Sequence, residues 1–434
     1  MRKTLLALAL STLAVAADAA NLSDVYRQAR KNDAIHASAQ ASYKAGLERL
    51  PQGRALQLPS VNLSANLRQI DSDTSAGSKN YNTRGVTLAL TQPIYRKQNL
   101  ETLEQAKLQV QAVEAQLKLA EQDLILRTAQ AYFDVLLAQD NLATAQSQKT
   151  AIAEQLALAK KSFEVGAATI VDTHEAQARY DATVAEEIAS RNNLDVKRRA
   201  LEKLIMAVAP PLATLVDKVP VSLPEPNDMD AWVKQARENS LAVAVNQALA
   251  EIARREVERQ RGGYLPTLDL TASLSDSYSG NAAVLGGGDS RSAAVGFELG
   301  WNLYQGGATN SLVREAVANK ERARFDLDNA TRQAELDARQ SFLGVVSGAA
   351  RVSALEQAVV SGKAQLRSTK LGQEVGVRTA VDVLNAQQLL YSAERDLALA
   401  RYTALLNGLS LKAVTGGLVE ADLQAVDALL REKP

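Results

Sequence analysis

Leu58-Pro59-Ser60-Val61-Asn62-Leu63-Ser64-Ala65-Asn66-Leu67-Arg68 is answered, about 210 residues further on, by Leu265-Pro266-Thr267-Leu268-Asp269-Leu270-Thr271-Ala272-Ser273-Leu274-Ser275. In both stretches a Leu-Pro corner stops a helical pattern, because the residue before proline is pushed out of the α region. Apolar and polar residues then alternate with period two, which makes a strand with one apolar face. A second alternating run follows each: Val86, Leu88 and Leu90 against Thr87, Ala89 and Thr91, and Val295, Phe297, Leu299 and Trp301 against Gly296, Glu298, Gly300 and Asn302. Stretches rich in Ser, Gly, Asp and Asn, about Ile70 to Arg84 and about Asp276 to Ser292, read as the long polar loops of an outer-membrane barrel.

Alternation suits a half-buried sheet in a soluble domain equally well. Aromatic placement separates the two readings. Tyr81, Tyr95, Tyr264, Tyr278, Trp301 and Tyr304 sit at or near strand ends in a chain with 4% aromatic residues, as girdles at a membrane interface require. Four strands cannot close, and an open edge in hydrocarbon leaves backbone groups unsatisfied. The barrel must therefore be shared between chains. Two chains would give eight strands with a lumen filled by side chains, whereas three give about twelve and a water-filled passage. A homotrimer in outer-membrane lipid is the smallest assembly with a pore.

The strand pairs belong to a longer internal repeat. Asn21 to Arg30 answers to Met229 to Arg237, Gln92-Pro93-Ile94-Tyr95 to Trp301-Asn302-Leu303-Tyr304, and Glu164-Val165-Gly166 through Asp172 to Glu374-Val375-Gly376 through Asp382. Two structural repeats follow, residues 20–207 and 229–416, each a helix, two strands and a helical hairpin. A proline-rich linker over 208–228 and a tail over 417–434 are expected to pack as irregular structure outside the helices.

Leu103, Val110, Leu117, Leu124, Ala131, Ala138, Ala145, Ile152 and Ala159 recur at steps of seven, as do Ala338, Val345, Val352, Val359 and Leu366, which is a coiled-coil seam. A helix of about 65 residues rises about 100 Å. Each long helix ends near Gly166 or Gly376, and a second returns with Asp172 or Asp382 near its start. The expected fold is thus an α+β membrane protein: a long α-helical coiled-coil barrel, with four strands per chain contributing to a shared twelve-stranded β-barrel.

Residues 1–19 have the charge, apolar core and small-residue order of a secretory signal, with Met1-Arg2-Lys3 ahead of Leu5 to Val15 and Ala17-Asp18-Ala19. No later run approaches the roughly 20 apolar residues of a spanning helix. Cysteine is absent, which excludes disulfides, thiolate zinc sites and an acylated N-terminal cysteine. The formal net charge of +0 gives no reason to invoke nucleic acid.

These residues resemble the TolC family of outer-membrane efflux and secretion channels over nearly the whole mature chain. The resemblance rests on the stretch from Asn21, the Leu-Pro corners, Gln92-Pro93-Ile94-Tyr95, Tyr304-Gln305-Gly306-Gly307 and above all Glu374-Val375-Gly376-Val377-Arg378-Thr379-Ala380-Val381-Asp382-Val383-Leu384. It implies a trimer whose helices taper to a periplasmic tip, closed by the inner hairpins and opened by a periplasmic adaptor (membrane fusion) protein with an inner-membrane efflux pump or ABC exporter. It further implies that Arg378 ties the inner hairpin to its neighbour and that Asp382 is the first of two acidic positions ringing the aperture. Asn385 stands at the second. Gln373 and Val171 replace a tyrosine and a threonine of that network, and Asp172 keeps its acidic partner.

No catalytic, cofactor or metal constellation emerges. His36 and His174 fall on helical stretches and read as solvated surface residues. Gly286-Gly287-Gly288 lacks the lysine and helix of a phosphate loop. Gly306-Gly307 reads as relief of crowding where strand becomes helix. Arg378 and Asp382 could pair i to i+4 on one helix without functional meaning. The expected function is export of small molecules, proteins or both; the rival is a periplasmic coiled-coil adaptor or adhesin stalk without a pore.

Overall fold

The computed structural model describes residues 19–74, 77–216, 220, 222–281 and 287–431. The signal over 1–19 lies outside the described residues except for Ala19, and so does Gly286. Along the chain come α1 (Leu22–Asn32), α2 (Ala34–Leu47), α3 (Arg49–Ala55), β1 (Ser60–Thr74), β2 (Gly77–Tyr95), α4 (Lys97–Glu164) and α5 (Ile170–Ile205). Then follow β3 (Thr214–Leu215), α6 (Met229–Asn239), α7 (Leu241–Arg261), β4 (Thr267–Ser279), β5 (Gly288–Gly300), α8 (Ala308–Glu374), α9 (Ala380–Val414), α10 (Glu420–Asp427) and β6 (Leu430–Arg431). Short helices, a strand pair, one very long helix and a shorter return helix thus occur twice. The chain divides into two compact units that each draw on both repeats, one from Ala39–Lys118 and Leu241–Gln333, the other from Met1–Ser38, Leu119–Ser240 and Ala334–Pro434.

The first of these units holds a four-stranded antiparallel sheet in the order β1-β2-β4-β5. Leu63 pairs with Leu88 and Leu270 with Phe297, so the two hairpins are in the register that the repeat requires. The strands run well beyond the alternating runs. Residues 70–74 and 77–84 are strand, as are 276–279 and 288–292, where the sequence suggested long loops. Ladder bonds use backbone N–H and C=O, so polar residues such as Asn80 and Asn82 extend a hairpin that apolar alternation no longer marks.

The sheet wears its apolar row on the more exposed side. On β2, Val86 is 47% and Leu88 43% exposed, while Gly85, Thr87 and Ala89 between them are half-buried. Among the described residues no helix packs across either face. An uncovered apolar row of this kind is what the membrane reading of the alternation requires. One residue of the polar row departs from it: Asp269 is buried, its carboxylate taking Nε–H and Nη2–H of Arg96 at 2.9 and 2.5 Å.

The second unit has a core of Leu22, Val25 and Tyr26 from α1, Leu124, Tyr132, Phe133 and Leu136 from α4, Leu201 and Ile205 from α5, and Tyr402 from α9. Phe133 stands edge-on to Tyr132 at 5.8 Å and tilted to Tyr402 at 5.5 Å. Both tyrosine hydroxyls find acceptors, Tyr132 on the Ala213 carbonyl at 2.7 Å and Tyr402 on Asp140 Oδ2 at 2.7 Å. Burial raises the pKa of each. The linker and tail are more ordered than composition suggested. β3 pairs with β6, Ala20 bridges to Leu212, and α10 packs Leu423 and Val426 into the core. Two-residue ladders and an eight-residue helix are too short to carry a periodic signal.

The heptad seams pack as expected over much of their length, whereas Leu103, Val110, Leu117, Ala131 and Leu366 are only half-buried. Leu124, Ala138, Ala145, Ile152 and Ala159 are buried, as are Ala338, Val345, Val352 and Val359. The seam makes one 18-residue window of α8 reach a mean hydropathy of 1.2. That stretch is 17% buried, and Val352 and Val359 of the same helix pack on Leu390 and Leu397 of α9. His36 is 1% exposed, contrary to its reading as a surface residue: its backbone N donates to Asp33 Oδ1 at 2.7 Å, capping α2. Asp33 in turn takes both Nη groups of Arg127, at 3.0 and 3.1 Å. His174 is exposed.

Candidate functional site

The two hairpin turns, each four residues between a helix end and the next cap, are built identically. At the end of α4 the N–H of Ala167 donates to the Ser162 carbonyl at 2.8 Å and that of Gly166 to Phe163 at 3.0 Å. At the end of α8 Val377 donates to Gly372 at 2.9 Å and Gly376 to Gln373 at 3.1 Å. Both are Schellman closures, and they need a left-handed residue, which Gly166 (φ 74°) and Gly376 (φ 80°) supply. Three residues later Thr169 and Thr379 start the return helices. Asp172 Oδ2 accepts from Thr169 N at 2.9 Å and from its Oγ1 at 2.8 Å; Asp382 Oδ2 accepts from Thr379 N and Oγ1, both at 3.0 Å. The threonine oxygens accept in return from Asp172 N at 3.3 Å and Asp382 N at 3.2 Å. These are reciprocal capping boxes. The repeated Val-Gly-x-x-Thr-x-Val-Asp motif is therefore, locally, the sequence of a minimal helix-turn-helix reversal.

The boxes also set the charge. Hydrogen bonds from the Thr379 backbone, then from its hydroxyl, hold the Asp382 carboxyl below the usual carboxylate range, and the same two donors of Thr169 act on Asp172. Arg378 lies in the turn ahead of the cap, not on α9, and among the described residues it makes no ion pair within the chain. The i to i+4 pairing does not form. Its stem lies over Gly372, where an added Cβ would come 2.7 Å from Arg378 Cγ.

Asn385, expected at the aperture, has a side-chain partner on another helix. Arg179 of α5 donates from Nη2 to Asn385 Oδ1 at 3.0 Å and from Nη1 to Gln388 Oε1. Two helical turns along, Arg395 meets Glu186 at 3.3 Å, so α5 and α9 of one chain are joined by two polar links. Sequence reasoning missed Arg179. Its only signal was a charge one turn from Glu175, an ordinary exposed helix pair. Gln373 is half-buried and closes the α8 end through its carbonyl.

The aromatic residues fall into two tiers. Tyr278 is near the far end of β4, opposite Arg84 on β2, whose guanidinium lies 4.8 Å from the Tyr278 ring. Tyr95 ends β2 past a bulge that aligns it with Leu268 of the apolar row. Eleven residues from Arg84 to Tyr95 give about 36 Å of strand and about 25 Å of depth at a 45° tilt, the height of an outer-membrane apolar band. Tyr264 and Trp301 meet at the near end, where Trp301 Nε1 donates to the Tyr264 carbonyl at 3.0 Å and Tyr264 Oη bonds Asn310 Oδ1, and exposed Tyr304 follows three residues after Trp301. Tyr81 does not share that face. It pairs with Ile70 and alternates with Thr83 and Thr87 on the polar row. Gly306 and Gly307, at φ 62° and 85°, turn the chain into α8; an added Cβ would meet nothing within 4 Å, so backbone conformation and not crowding requires them.

An uncovered apolar sheet with aromatic tiers, carried on long helices that reverse through capped turns, defines a strand-spanning membrane protein with helical hairpins. The family description that matches is outer membrane efflux protein, over residues 25–205 and 232–417. The chain is 36% identical to the outer membrane protein TolC of Escherichia coli over 98% of its own length and 88% of that protein. It is 33% identical to the alkaline protease secretion protein AprF of Pseudomonas aeruginosa, over 94% and 87%. The same fold is seen in the Campylobacter jejuni CmeC outer membrane channel, with a TM-score of 0.79 at 18% identity over 94% of this chain and 89% of that one. The chain belongs to the outer membrane efflux protein family and is an outer-membrane channel of the efflux and secretion type, which sets aside the pore-less stalk.

Proposed function

We propose that three copies of the chain, released from a signal over residues 1–19, close one twelve-stranded barrel and export small toxic compounds, proteins or both. An inner-membrane efflux pump or ABC exporter supplies the work through a periplasmic adaptor. One observation carries the pore: a sheet with an uncovered apolar face and unpaired outer strands, β1 and β5. In hydrocarbon such edges must be paired, and four strands per chain close only between chains. Tyr95, Tyr264, Tyr278, Trp301 and Tyr304 form the interfacial girdle. Protein cargo is supported by similarity to AprF, described as an alkaline protease secretion protein.

The hairpin turns form the periplasmic gate. Asp382, held ionised by its cap, lines the aperture, Arg378 reaches toward a neighbouring chain, and Asn385 is withdrawn toward Arg179. The test is conductance of the detergent-purified protein in a planar bilayer, together with its mass in mild detergent. A conducting, heat-labile trimer is expected, and a monodisperse monomer that still conducts ions overturns the reading.

A further inference from the structure

The exposed apolar row of the sheet changes character near the strand ends remote from the helices. One cross-strand row there reads Leu67, Arg84, Tyr278 and Asp289, and the next, one pleat nearer the helices, reads Ala65, Val86, Asp276 and Arg291. Ala65, Leu67 and Val86 line a furrow of about 510 Å³ that also touches Arg84 and Asp276. Its charges are unevenly matched. Asp276 is taken by Arg291 at 2.7 Å, whereas Arg84 stands 3.7 Å from Asp289, beyond hydrogen-bonding distance. The Arg84 guanidinium lies 4.8 Å from the centre of the Tyr278 ring, a cation–π contact that steadies the group and leaves its in-plane N–H donors for an anion. Nor is the arginine a by-product of the repeat. Leu88 and Phe297 pair with the equivalent leucines Leu63 and Leu270, and four residues before each stand Arg84 and Ala293.

Resting on the reading that this row faces lipid, we propose that the furrow binds a phosphorylated glycolipid of the outer leaflet, with an acyl chain along Ala65, Leu67 and Val86 and a phosphate on Arg84. The helices of this outer-membrane channel lie in the periplasm, so the opposite strand ends reach the outer leaflet, which is built of acylated glucosamine phosphates. An anionic headgroup on apolar chains is the complement of a cation beside an apolar furrow. Arg84 shares its cross-strand row with Tyr278 of the outer aromatic tier, the depth at which headgroups begin, and a guanidinium takes phosphate in a bidentate fork. Against bare hydrocarbon the same group would be costly. Exposed Asp289 opposes the phosphate, so its loose contact with Arg84 is the one that binding replaces. Each chain carries one such site, because Ala293 offers no side-chain donor at the equivalent place in the other hairpin.

The test takes the full chain purified in mild detergent, lipid A as the probe, and native mass spectrometry to count the lipid molecules retained. Phosphatidylglycerol and dephosphorylated lipid A are the comparison lipids. The wild-type protein should retain lipid A about tenfold better than the dephosphorylated form, the ratio expected of one charge-assisted contact. Arg84→Gln should lose that preference, and Ala65→Trp, which fills the furrow, should weaken retention of both forms. Arg68→Gln, on the polar row where Arg68 pairs with Thr83, should behave as the wild type. Asp289→Asn removes the opposing carboxylate and should retain at least as much lipid A. Equal retention of lipid A with and without its phosphates, or of phosphatidylglycerol and lipid A, overturns the site on the wild-type protein alone, whatever the variants do. An unchanged preference in Arg84→Gln, or a loss in Asp289→Asn as large as that in Arg84→Gln, overturns it as well. Planar-bilayer conductance separates the two levels: a conducting protein that fails these comparisons refutes only the site, whereas one that neither conducts nor holds any of the three lipids refutes the lipid-facing row itself.

Discussion

Leu88→Lys should abolish assembly in the outer membrane, while Thr87→Lys, one residue away, should be tolerated. Leu88 lies four residues from Arg84, the partner of Tyr278, and seven from Tyr95. At about 3.3 Å per residue and a 45° tilt, that places it about 9 and 16 Å of depth from the two aromatic tiers, well inside an apolar band about 25 Å tall. A lysine facing lipid near mid-depth costs about 2 to 4 kcal/mol. Three copies acting independently cost about 6 to 12 kcal/mol, comparable to the whole stability margin of a typical domain, about 5 to 15 kcal/mol. Thr87 sits on the half-buried polar row, where a lysine faces water and costs little. The assay is the amount of each variant in the outer-membrane fraction, the heat-labile oligomer on unheated gels, and the conductance of whatever inserts. Equal insertion of the two variants, or failure of Thr87→Lys alone, would mean that the exposed apolar row does not face lipid.

Trp301→Asp should impair insertion more than Asn302→Asp, by less than the mid-depth figure because Trp301 belongs to the interfacial tier; outer-membrane yield decides it. Arg378→Ser should raise single-channel conductance and antibiotic leakage, and Asp382→Ala should abolish block by a trivalent cation added on the periplasmic side, since hard cations seek carboxylate oxygens; unchanged traces in both would leave these as helix-surface charges. Asn385→Asp gives Arg179 a carboxylate partner, so block should strengthen more in Asn385→Asp combined with Arg179→Gln than in Asn385→Asp alone, as titration with the same ion would show. Because its capping bonds lower the Asp382 pKa, the ionised form persists through the ordinary aspartate value of about 4 and is lost only at more acid pH: block at about pH 4 should stay close to block at pH 7, and loss of about half of it there, as for an uncapped aspartate, would show that the box is not formed in the channel.

Sequence periodicity determined the element types, the two repeats, the coiled-coil seams and the alternation of the strands, because each is a local property read over a few turns or pleats. It also located the turns, since a left-handed glycine and a Thr-x-x-Asp box act within ten residues of one another. It left open which side of the sheet is covered. Exposure depends on what packs across Val86 and Leu88, and only the tertiary structure shows that among the described residues no helix does. The strand ends, Tyr81 on the polar face and the buried His36 were likewise beyond pattern, as ladder register and burial are set by distant partners such as Ile70, Leu274 and Arg127. The link from Arg179 to Asn385 joins residues more than 200 positions apart, and no spacing rule within one helix could have found it.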